Sequence, residues 1–556
     1  MKTSPKTWAA RSMAGLLALP LLPVQASVEN PGLAPAPPMG FNNWARFMCD
    51  LNETLFTETA QSMLDRGLLD VGYDRLTLDD CWMSHDRADD GSLQWDTERF
   101  PQGIPWLVKY VNDKGFQLGI YEDSGNLTCG GYPGSYKHEE QDAELFASWG
   151  IDYLKLDGCN VWGEEGRSLR EEYRVRYEGW HDILSAMPKP LIFSNSAPAY
   201  FEDKAGDWAV VMNWVPESGE LARHSADVIN YAVEGSAWDS IMYNYDFHAR
   251  LVRYQQPGYY NDPDFLIPDH PSLSMDEKKS QFAVWASIGA PLILSAYVPD
   301  LSDEEIAFLS NKALIAVNKD PLAQQSALVS RDGTFDVLTR SLENGDRLLT
   351  VLNRGADTAT TTVSLTRLGL SSKSCKYEAR DLVGDEVSTI DSAIKVQLDS
   401  HAAKVYRIAL PKKCSKTTPT AMVFNTPSDL CMTASTDSVT FEKCSGSDSQ
   451  VWHVAATGDD TKLTLSPLSD ESLCLAAGDG LSLAKCHGGD GTSWDHYISG
   501  HLRSSSGDCL TQTKGKGSVE ACVIDSVGQI FGLPSGVRLA KGDLNQTRYG
   551  LAWGSI

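Results

Sequence analysis

Lys155 and Asp157 stand two residues apart in the run Tyr153-Leu-Lys-Leu-Asp-Gly-Cys159. The run alternates as a strand does, so both charged side chains leave the same face. Ile151, Tyr153, Leu154 and Leu156 supply its apolar side chains, and Gly158 ends it. A carboxylate at the end of a buried strand costs free energy unless it is paired or used. One reading is structural, an Asp–Lys pair or a turn cap. The other is a reactive carboxylate kept ionised by the nearby ammonium.

Similar residues recur at the ends of other strand-like runs. Trp44, Asp79-Asp80, Tyr121, Asn213-Trp214, and Asp262 with Asp264 occupy these positions. Each alone fits a helix cap, a core aromatic or a turn. Gathered on one face, they make a carboxylate-rich, aromatic-lined cup with one Lys. Such a cup suits a neutral polyhydroxylated substrate. Paired Asp side chains accept from vicinal hydroxyls, and an aromatic face packs on the C–H side of a sugar ring. Two further carboxylates could cut a glycosidic bond. One attacks the anomeric carbon; the other protonates the leaving oxygen and later activates water. Asp157 is a natural nucleophile. The second carboxyl must lie about 5 Å away for retention of configuration, or roughly 6.5–9.5 Å for inversion. Spacing leaves Asp227, Asp262, Asp264 and Glu122 all as candidates.

The elements that must position these groups alternate strand and helix from about residue 35 to 320. The strand-like runs are Met39–Trp44, Arg75–Asp80, Gln117–Glu122, Tyr153–Asp157, Leu191–Ser194, Trp208–Trp214, Gly258–Asp262 and Pro291–Ser295. Helical patterns between them include Leu55–Leu68, Ile104–Lys114, Asp142–Trp149, Ser168–Ala186 and Met275–Ile288. Eight such units predict a (β/α)8 TIM barrel over residues 27–322, with its chemistry at the strand C-termini. An open doubly wound sheet is the alternative, and no Gly-rich phosphate loop follows the first strand.

Short alternating runs then predict an antiparallel β-sandwich over residues 323–414: Thr334–Thr339, Arg347–Asn353, Thr360–Ser364, Lys376–Asp381, Ala393–Leu398 and Ala403–Ile408. Residues 415–420 read as a linker. Over residues 421–535, Cys431-Met, Cys474-Leu and Cys509-Leu precede second cysteines by 13, 12 and 13 residues. The tails Ser449-Gln-Val-Trp452, Thr492-Ser-Trp494 and Gly528-Gln-Ile-Phe531 follow. Three β-patterned copies fit a three-fold, barrel-like fold. The tail 536–556 fits no repeat.

The chain has 556 residues, 42% of them hydrophobic, and a net charge of −26 from 48 Lys+Arg against 74 Asp+Glu. That balance disfavours nucleic acid and anionic membranes as partners. Residues 1–26 read as a secretory signal. Lys2, Lys6 and Arg11 form its basic flank, Met13 to Leu22 its apolar stretch, and Val24-Gln25-Ala26 its cleavage site. Twelve cysteines suit a secreted, disulfide-bonded chain and fall in the neighbouring couples Cys49/Cys81, Cys129/Cys159, Cys375/Cys414, Cys431/Cys444, Cys474/Cys486 and Cys509/Cys522. Sequence does not prove that connectivity. No Cys-x-x-Cys pair or His cluster has metal-ligand spacing, so no metal or other cofactor is expected. Asn52, Asn126 and Asn545 head glycosylation acceptor triplets.

Several segments resemble glycoside hydrolase family 27. They are Pro38-Met-Gly-Phe-Asn-Asn-Trp44, Leu78-Asp-Asp-Cys-Trp82, Leu118-Gly-Ile-Tyr121, Gly125-Asn-Leu-Thr-Cys129, Tyr153-Leu-Lys-Leu-Asp-Gly-Cys159, Asn261-Asp-Pro-Asp264 and Leu314-Ile-Ala-Val-Asn-Lys-Asp-Pro321. The resemblance covers residues 35 to about 410. The C-terminal repeat resembles a ricin-type β-trefoil carbohydrate-binding module, and the three parts together resemble fungal secreted enzymes of that family. The resemblance implies a retaining glycosidase that releases terminal α-linked galactose from oligosaccharides or polysaccharides such as galactomannan. By it, Asp157 is the nucleophile, Asp227 the acid/base and Arg223 its substrate-orienting partner. Asp79, Asp80 and Lys155 bind hydroxyls, Trp44 and Tyr121 shape the pocket, and Asp264 contacts the sugar. It also implies the pairs Cys49–Cys81 and Cys129–Cys159, the second placing sulfur beside the nucleophile.

The sequence departs from the family at Ala222, where Trp is usual, and at Met212, where a Cys is usual; the loop Asn213 to Arg223, expected to help read the C2 substituent, is short. N-acetylgalactosamine therefore stays open as an alternative. Asp at 79 favours a C6 hydroxyl over L-arabinopyranose. The repeats lack the Asp that commonly follows the first Cys-Leu of sugar-binding trefoils. A working lectin site, a trefoil kept for stability and an inactive galactoside-binding lectin all remain readings.

Overall fold

The computed structural model describes residues 28 and 30–540 apart from 165, 373, 415, 437, 458–461, 479 and 487–490. The expected signal peptide and the Asn545 acceptor lie outside the described residues, as do residues 541–556 of the tail.

Eight parallel strands form the first sheet: β1 Met39–Asn42, β2 Arg75–Thr77, β3 Gln117–Asp123, β4 Tyr153–Asp157, β5 Ile192–Asn195, β6 Leu221–Arg223, β7 Tyr260–Asp262 and β8 Leu292–Leu294. They run in order from β7 through β1 to β8. A parallel bridge from Leu266, just after β7, to Leu294 in β8 closes the ring. Helices wrap it. Several begin at sequence-encoded capping boxes: Ser168 with Glu171 before Leu169–Ser185, Ser274 with Glu277 before Met275–Ile288, and Ser302 with Glu305 before Asp303–Leu309. One contiguous apolar core joins strands and helices, with Trp82, Trp180 and Trp285 fully buried.

Two expectations fail here. Trp208–Trp214 is not the sixth strand but part of the helix Ala205–Trp214. Its apolar residues are buried almost all round, and a short continuous apolar run has no period to separate helix from strand. The true sixth strand is the three-residue β6. Asn213 and Trp214 therefore leave the cup. Asn213 Oδ1 accepts from the Tyr254 hydroxyl at 2.8 Å, and Trp214 is buried. Trp44 also lies past its strand, opening the short helix Trp44–Phe47.

The next region is an antiparallel sandwich, a six-stranded sheet facing a two-stranded one. It includes strands Ala327–Arg331 and Val387–Ile390, which alternation had not marked. The expected linker is pinned down: Thr418 N donates to Gly369 O at 2.9 Å, and Thr420 begins the strand Thr420–Met422.

The last region is all β. Three antiparallel hairpins recur: Leu430–Ala434 with Val439–Lys443, Leu473–Ala477 with Leu481–Lys485, and Cys509–Thr513 with Lys516–Glu520. Each is cross-linked by its own disulfide, Cys431–Cys444, Cys474–Cys486 and Cys509–Cys522. The pairing is the one that neighbouring positions suggested, but the two ends of each bridge differ. Cys431, Cys474 and Cys509 lie in the first strand and are buried. Cys444, Cys486 and Cys522 lie just past the end of the second strand and are only half-buried. These three tie the outgoing chain back to the hairpin, and Cys444 also lines a cavity of about 350 Å³. Met432, Leu475 and Leu510, each just after a first Cys, meet Trp452, Trp494 and Phe531 in one core.

All six cysteine couples are disulfides, including Cys375–Cys414 across the sandwich. The regions interlock. Trp238 stacks on His401 at 4.9 Å, Arg253 Nε donates to Ile498 O at 2.7 Å, and Arg250 pairs with Asp429 at 2.7 Å. Among the described residues no helix is long and apolar enough to cross a membrane. Asn52 and Asn126 are exposed.

Candidate active site

A cavity of about 330 Å³ opens at the C-terminal ends of the barrel strands. Trp44, Asp79, Asp80, Tyr121, Asp157, Arg223 and Asp227 line it, together with the Cys129–Cys159 disulfide. Of the four carboxylates left open by spacing, only Asp227 is in this wall. Glu122, Asp262 and Asp264 are buried; Glu122 lies one residue out of phase with Tyr121, which faces the cavity.

β4 delivers Lys155 and Asp157 on one face. Lys155 is buried and donates to Asp79 Oδ2 at 2.7 Å, so its direct partner is Asp79 rather than Asp157. Burial opposes its charge, but Asp79, Asp157 and Asp227 outweigh that and hold the ammonium firmly protonated. Asp157 is pushed up by burial, pulled down by Lys155, pushed up by Asp227 and pulled down by a hydrogen bond from Tyr200. Its net direction is upward.

Asp79 and Asp80 are held by neighbours that fix the carboxylates yet leave lone pairs for hydroxyl donors. Asn42 Nδ2 donates to Asp79 Oδ2 at 2.7 Å, and Asn43 Oδ1 accepts from Asp79 N at 2.9 Å. Asp80 accepts from Cys81 N and Gly130 N, both at 2.7 Å. Cys81 adopts φ 71°, a left-handed backbone unusual for a side-chain-bearing residue; its disulfide to Cys49 anchors the turn.

Arg223, at the end of β6, bridges two carboxylates. It contacts Asp227 Oδ1 at 2.9 Å and Asp264 Oδ2 at 3.2 Å. Asp227 is 58% exposed and also accepts from Trp44 Nε1 at 3.1 Å. Partial desolvation in the cavity wall acts to raise its pKa, but Arg223 and then Lys155 hold it below the usual range. Asp264 instead lies behind Arg223, off the cavity wall, and accepts from Val228 N at 2.6 Å. Burial pushes it to about 7 against the pull of Arg223. Asp264 thus props Arg223 and the turn at Val228. Lys155 is likewise behind the wall.

Sequence reasoning missed the far wall. Ser196, Ala199, Tyr200 and Glu202 follow β5, in and beside the short turn Ala197–Phe201. Reading the next segment as a strand hid this excursion. The short loop after Asn213 was expected to shape the pocket; instead Pro216, Glu217, Gly219 and Glu220 line a separate cavity of about 290 Å³ that shares no residue with the first. Asp123, Cys129 and Cys159 cluster within 4.8 Å, but both sulfurs are tied in the disulfide and offer no thiolate to a metal.

A family profile described as "Alpha galactosidase A" matches residues 36–320, and "Alpha galactosidase C-terminal beta sandwich domain" matches residues 332–408. The chain belongs to the alpha-galactosidase A family. It is 58% identical over 535 residues to alpha-galactosidase A of Aspergillus niger, covering 95% of this chain and 97% of that one. It is 35% identical to an alpha-galactosidase of Cyamopsis tetragonoloba over 67% of this chain and 86% of the relative. Among solved structures, alpha-galactosidase I of Mortierella vinacea superposes with a TM-score of 0.62 at 27% identity, covering 68% of this chain and 98% of that one. The Saccharomyces cerevisiae alpha-galactosidase crystallised with raffinose gives 0.60 at 26% identity, covering 69% and 99%. Family membership thus joins the barrel and sandwich to a carboxylate-lined cavity of the kind the sequence motifs imply.

Proposed function

We propose that the chain is a secreted, retaining α-galactosidase that removes terminal α-linked galactose from oligosaccharides and galactomannan. The observation that carries this is the single cavity into which Asp157 and Asp227 both open, beside the Asp79–Asp80 pair and the aromatic walls Trp44 and Tyr121. A walled cavity of about 330 Å³ suits a chain-end sugar better than the middle of a polymer.

Asp157 attacks the anomeric carbon as Asp227 gives its proton to the leaving oxygen. Asp227, now a carboxylate, takes a proton from water, which attacks the same carbon and releases Asp157. Arg223 keeps Asp227 low, so the protonated acid needed for the first step is populated at acidic pH. The expected optimum is therefore acidic. Lys155 holds Asp79 in place for a sugar hydroxyl.

A second reading, an enzyme for α-N-acetylgalactosamine, is favoured by the small residues of the far wall. Ser196 Oγ is buried with no protein partner, and Ala199 beside it leaves space for a substituent larger than hydroxyl. The C-terminal hairpins fit a β-trefoil, which we take as a stabilising and carbohydrate-docking module. Methanolysis of nitrophenyl α-galactoside followed by NMR tests the main reading. α-Methyl galactoside as the first product supports retention, and the β anomer rejects it. Parallel assays on the nitrophenyl galactoside, N-acetylgalactosaminide and L-arabinopyranoside separate the sugars.

A further inference from the structure

Asp157 Oδ1 is held from two sides. The Tyr200 hydroxyl donates to it, and Gly158 N–H points at it from 3.3 Å while also lying 3.1 Å from the Tyr200 oxygen. The same hydroxyl lies 3.3 Å from Cys159 Sγ and 3.9 Å from Cys129 Sγ. Two tyrosines of the helix Leu169–Ser185 secure the backbone on either side. Tyr177 donates to Leu156 O at 3.2 Å, and Tyr173 to Gly158 O at 2.5 Å. The Tyr173 ring in turn packs 5.4 Å from that of Tyr200. A Cβ at Gly158 would lie 2.7 Å from Tyr173 Cε1, so glycine is what lets this clamp close.

We propose that Tyr200 is the positioning residue of the nucleophile: by engaging Oδ1 it fixes the rotation of the carboxylate and leaves Oδ2 as the oxygen that attacks. This rests on Asp157 being the nucleophile. In the step, the Oδ2–carbon bond forms as the bond to the leaving oxygen breaks, and the proton for that oxygen comes from Asp227. Oδ1 becomes the ester carbonyl and still accepts from Tyr200, which transfers no proton. Burial and the Asp157 charge hold the Tyr200 phenol well above its usual range, so it remains a donor throughout.

The charged and titratable groups that face Asp157 are Lys155 on its own strand, Asp79 after β2, Tyr121 and Asp123 on β3, Tyr173 and Tyr177 on the helix, Tyr200 after β5 and Asp227 after β6. Among them Tyr200 is the neutral donor bonded to the carboxylate itself. Removing its hydroxyl disfavours the ionised carboxylate and moves the acid limb of kcat/KM to higher pH.

The test is Tyr200→Phe, which keeps the ring. The expected result is an acid limb moved up by about one pH unit, with kcat lowered by about ten-fold or more and KM changed by about two-fold or less. Tyr177→Phe, which frees only a backbone carbonyl, should leave that limb in place. An unmoved limb in folded Tyr200→Phe overturns the proposal whatever the loss of rate. Should the Phe variant not fold, site-specific fluorotyrosine at 200, a stronger donor, must move the limb downward; no movement overturns the proposal equally. Trapping the wild type with a 2-deoxy-2-fluorogalactosyl fluoride, then peptide mass analysis, tests the underlying assignment. A label away from Asp157 removes that assignment, whereas a label on Asp157 with an unmoved limb removes only the role of Tyr200.

Discussion

The barrel cup and the C-terminal hairpins solve opposite problems with polar groups. In the cup no two carboxylates share an environment. Asp79 meets an ammonium, Asp80 two backbone N–H groups, Asp157 a phenol, and Asp227 a guanidinium. In the hairpins one arrangement recurs. Gln450 accepts from Ser445 N at 2.8 Å and donates to Thr433 Oγ1 at 3.0 Å and Lys443 O at 3.1 Å. Gln529 does the same with Val523 N at 2.8 Å and with Thr511 Oγ1 and Ala521 O, both at 2.9 Å. Each Gln thus grips the chain on both sides of a half-buried second cysteine, Cys444 in one copy and Cys522 in the other. A repeated, fully satisfied bonding set answers a structural need. Unrepeated charges with spare acceptor capacity cost stability, and a reaction is what they can serve. The contrast predicts that cup substitutions lower rate and spare the fold, while hairpin substitutions do the reverse.

Asp157→Asn is the sharpest trial. It should lower kcat on nitrophenyl α-galactoside by about 10⁴-fold or more while the melting temperature stays level or rises, because a buried charge is removed. A matching collapse of stability would break the contrast. Asp227→Ala comes next, with an expected loss of about 10²–10⁴-fold. That loss should shrink for a dinitrophenyl leaving group, which needs no protonation, and the alkaline limb of the pH profile should disappear. Equal losses for good and poor leaving groups would move the acid/base role away from Asp227.

Glu220 separates burial from function. It is a buried carboxyl on the separate cavity of about 290 Å³ and accepts from Phe193 N at 2.7 Å. Burial raises it to about 7 from 4.5, against the pull of that hydrogen bond. Between those values the folded chain binds more protons than the unfolded one. By linkage, stability is full below about pH 4.5 and falls as pH rises through about 7. Glu220→Gln keeps an acceptor for Phe193 N–H and removes the titration. It should stabilise the protein by about 2 kcal/mol at pH 8, have no such effect at pH 4.5, and leave kcat alone. Thermal unfolding at both pH values checks this. Asp123, raised to about 8 by burial and Asp157, tilts the wild-type curve the same way.

Much of this was readable from residue order. β4 was legible because Lys155 and Asp157 interrupt a clean alternation, and the cysteine couples because each lies close in sequence. The unequal burial of the hairpin cysteines was not, because it depends on where the second strand stops, one residue before Cys444 and Cys486 and two before Cys522. β6 was hidden because three residues carry no period and the apolar helix Ala205–Trp214 before it looked like a strand. The choice of Asp227 over Asp262, Asp264 and Glu122 needed burial, which spacing cannot supply. Tyr200 was invisible because its role depends on the turn Ala197–Phe201 folding back over Gly158.

The smallest expected effects lie in the hairpins. Gln450→Ala or Gln529→Ala removes the partner of a partly exposed N–H and carbonyl, at a cost of about 0.5–1.5 kcal/mol each. Thr492 occupies the corresponding place before Trp494 and is shorter, so Thr492→Ala should cost about 1 kcal/mol or less. Calorimetry resolves these changes if the C-terminal region unfolds separately from the barrel, as multi-region chains commonly do. Steady-state assays at a temperature below every transition should give unchanged kcat and KM for all three. The interlocking pairs Arg250–Asp429 and Arg253–Ile498 give this its edge. They join the hairpins to the barrel segment just after the helix Ala237–His248. If a hairpin Gln variant lowered kcat while still folded, coupling would run through those contacts into the Arg223–Asp227 wall, and the two regions would be one functional unit rather than two.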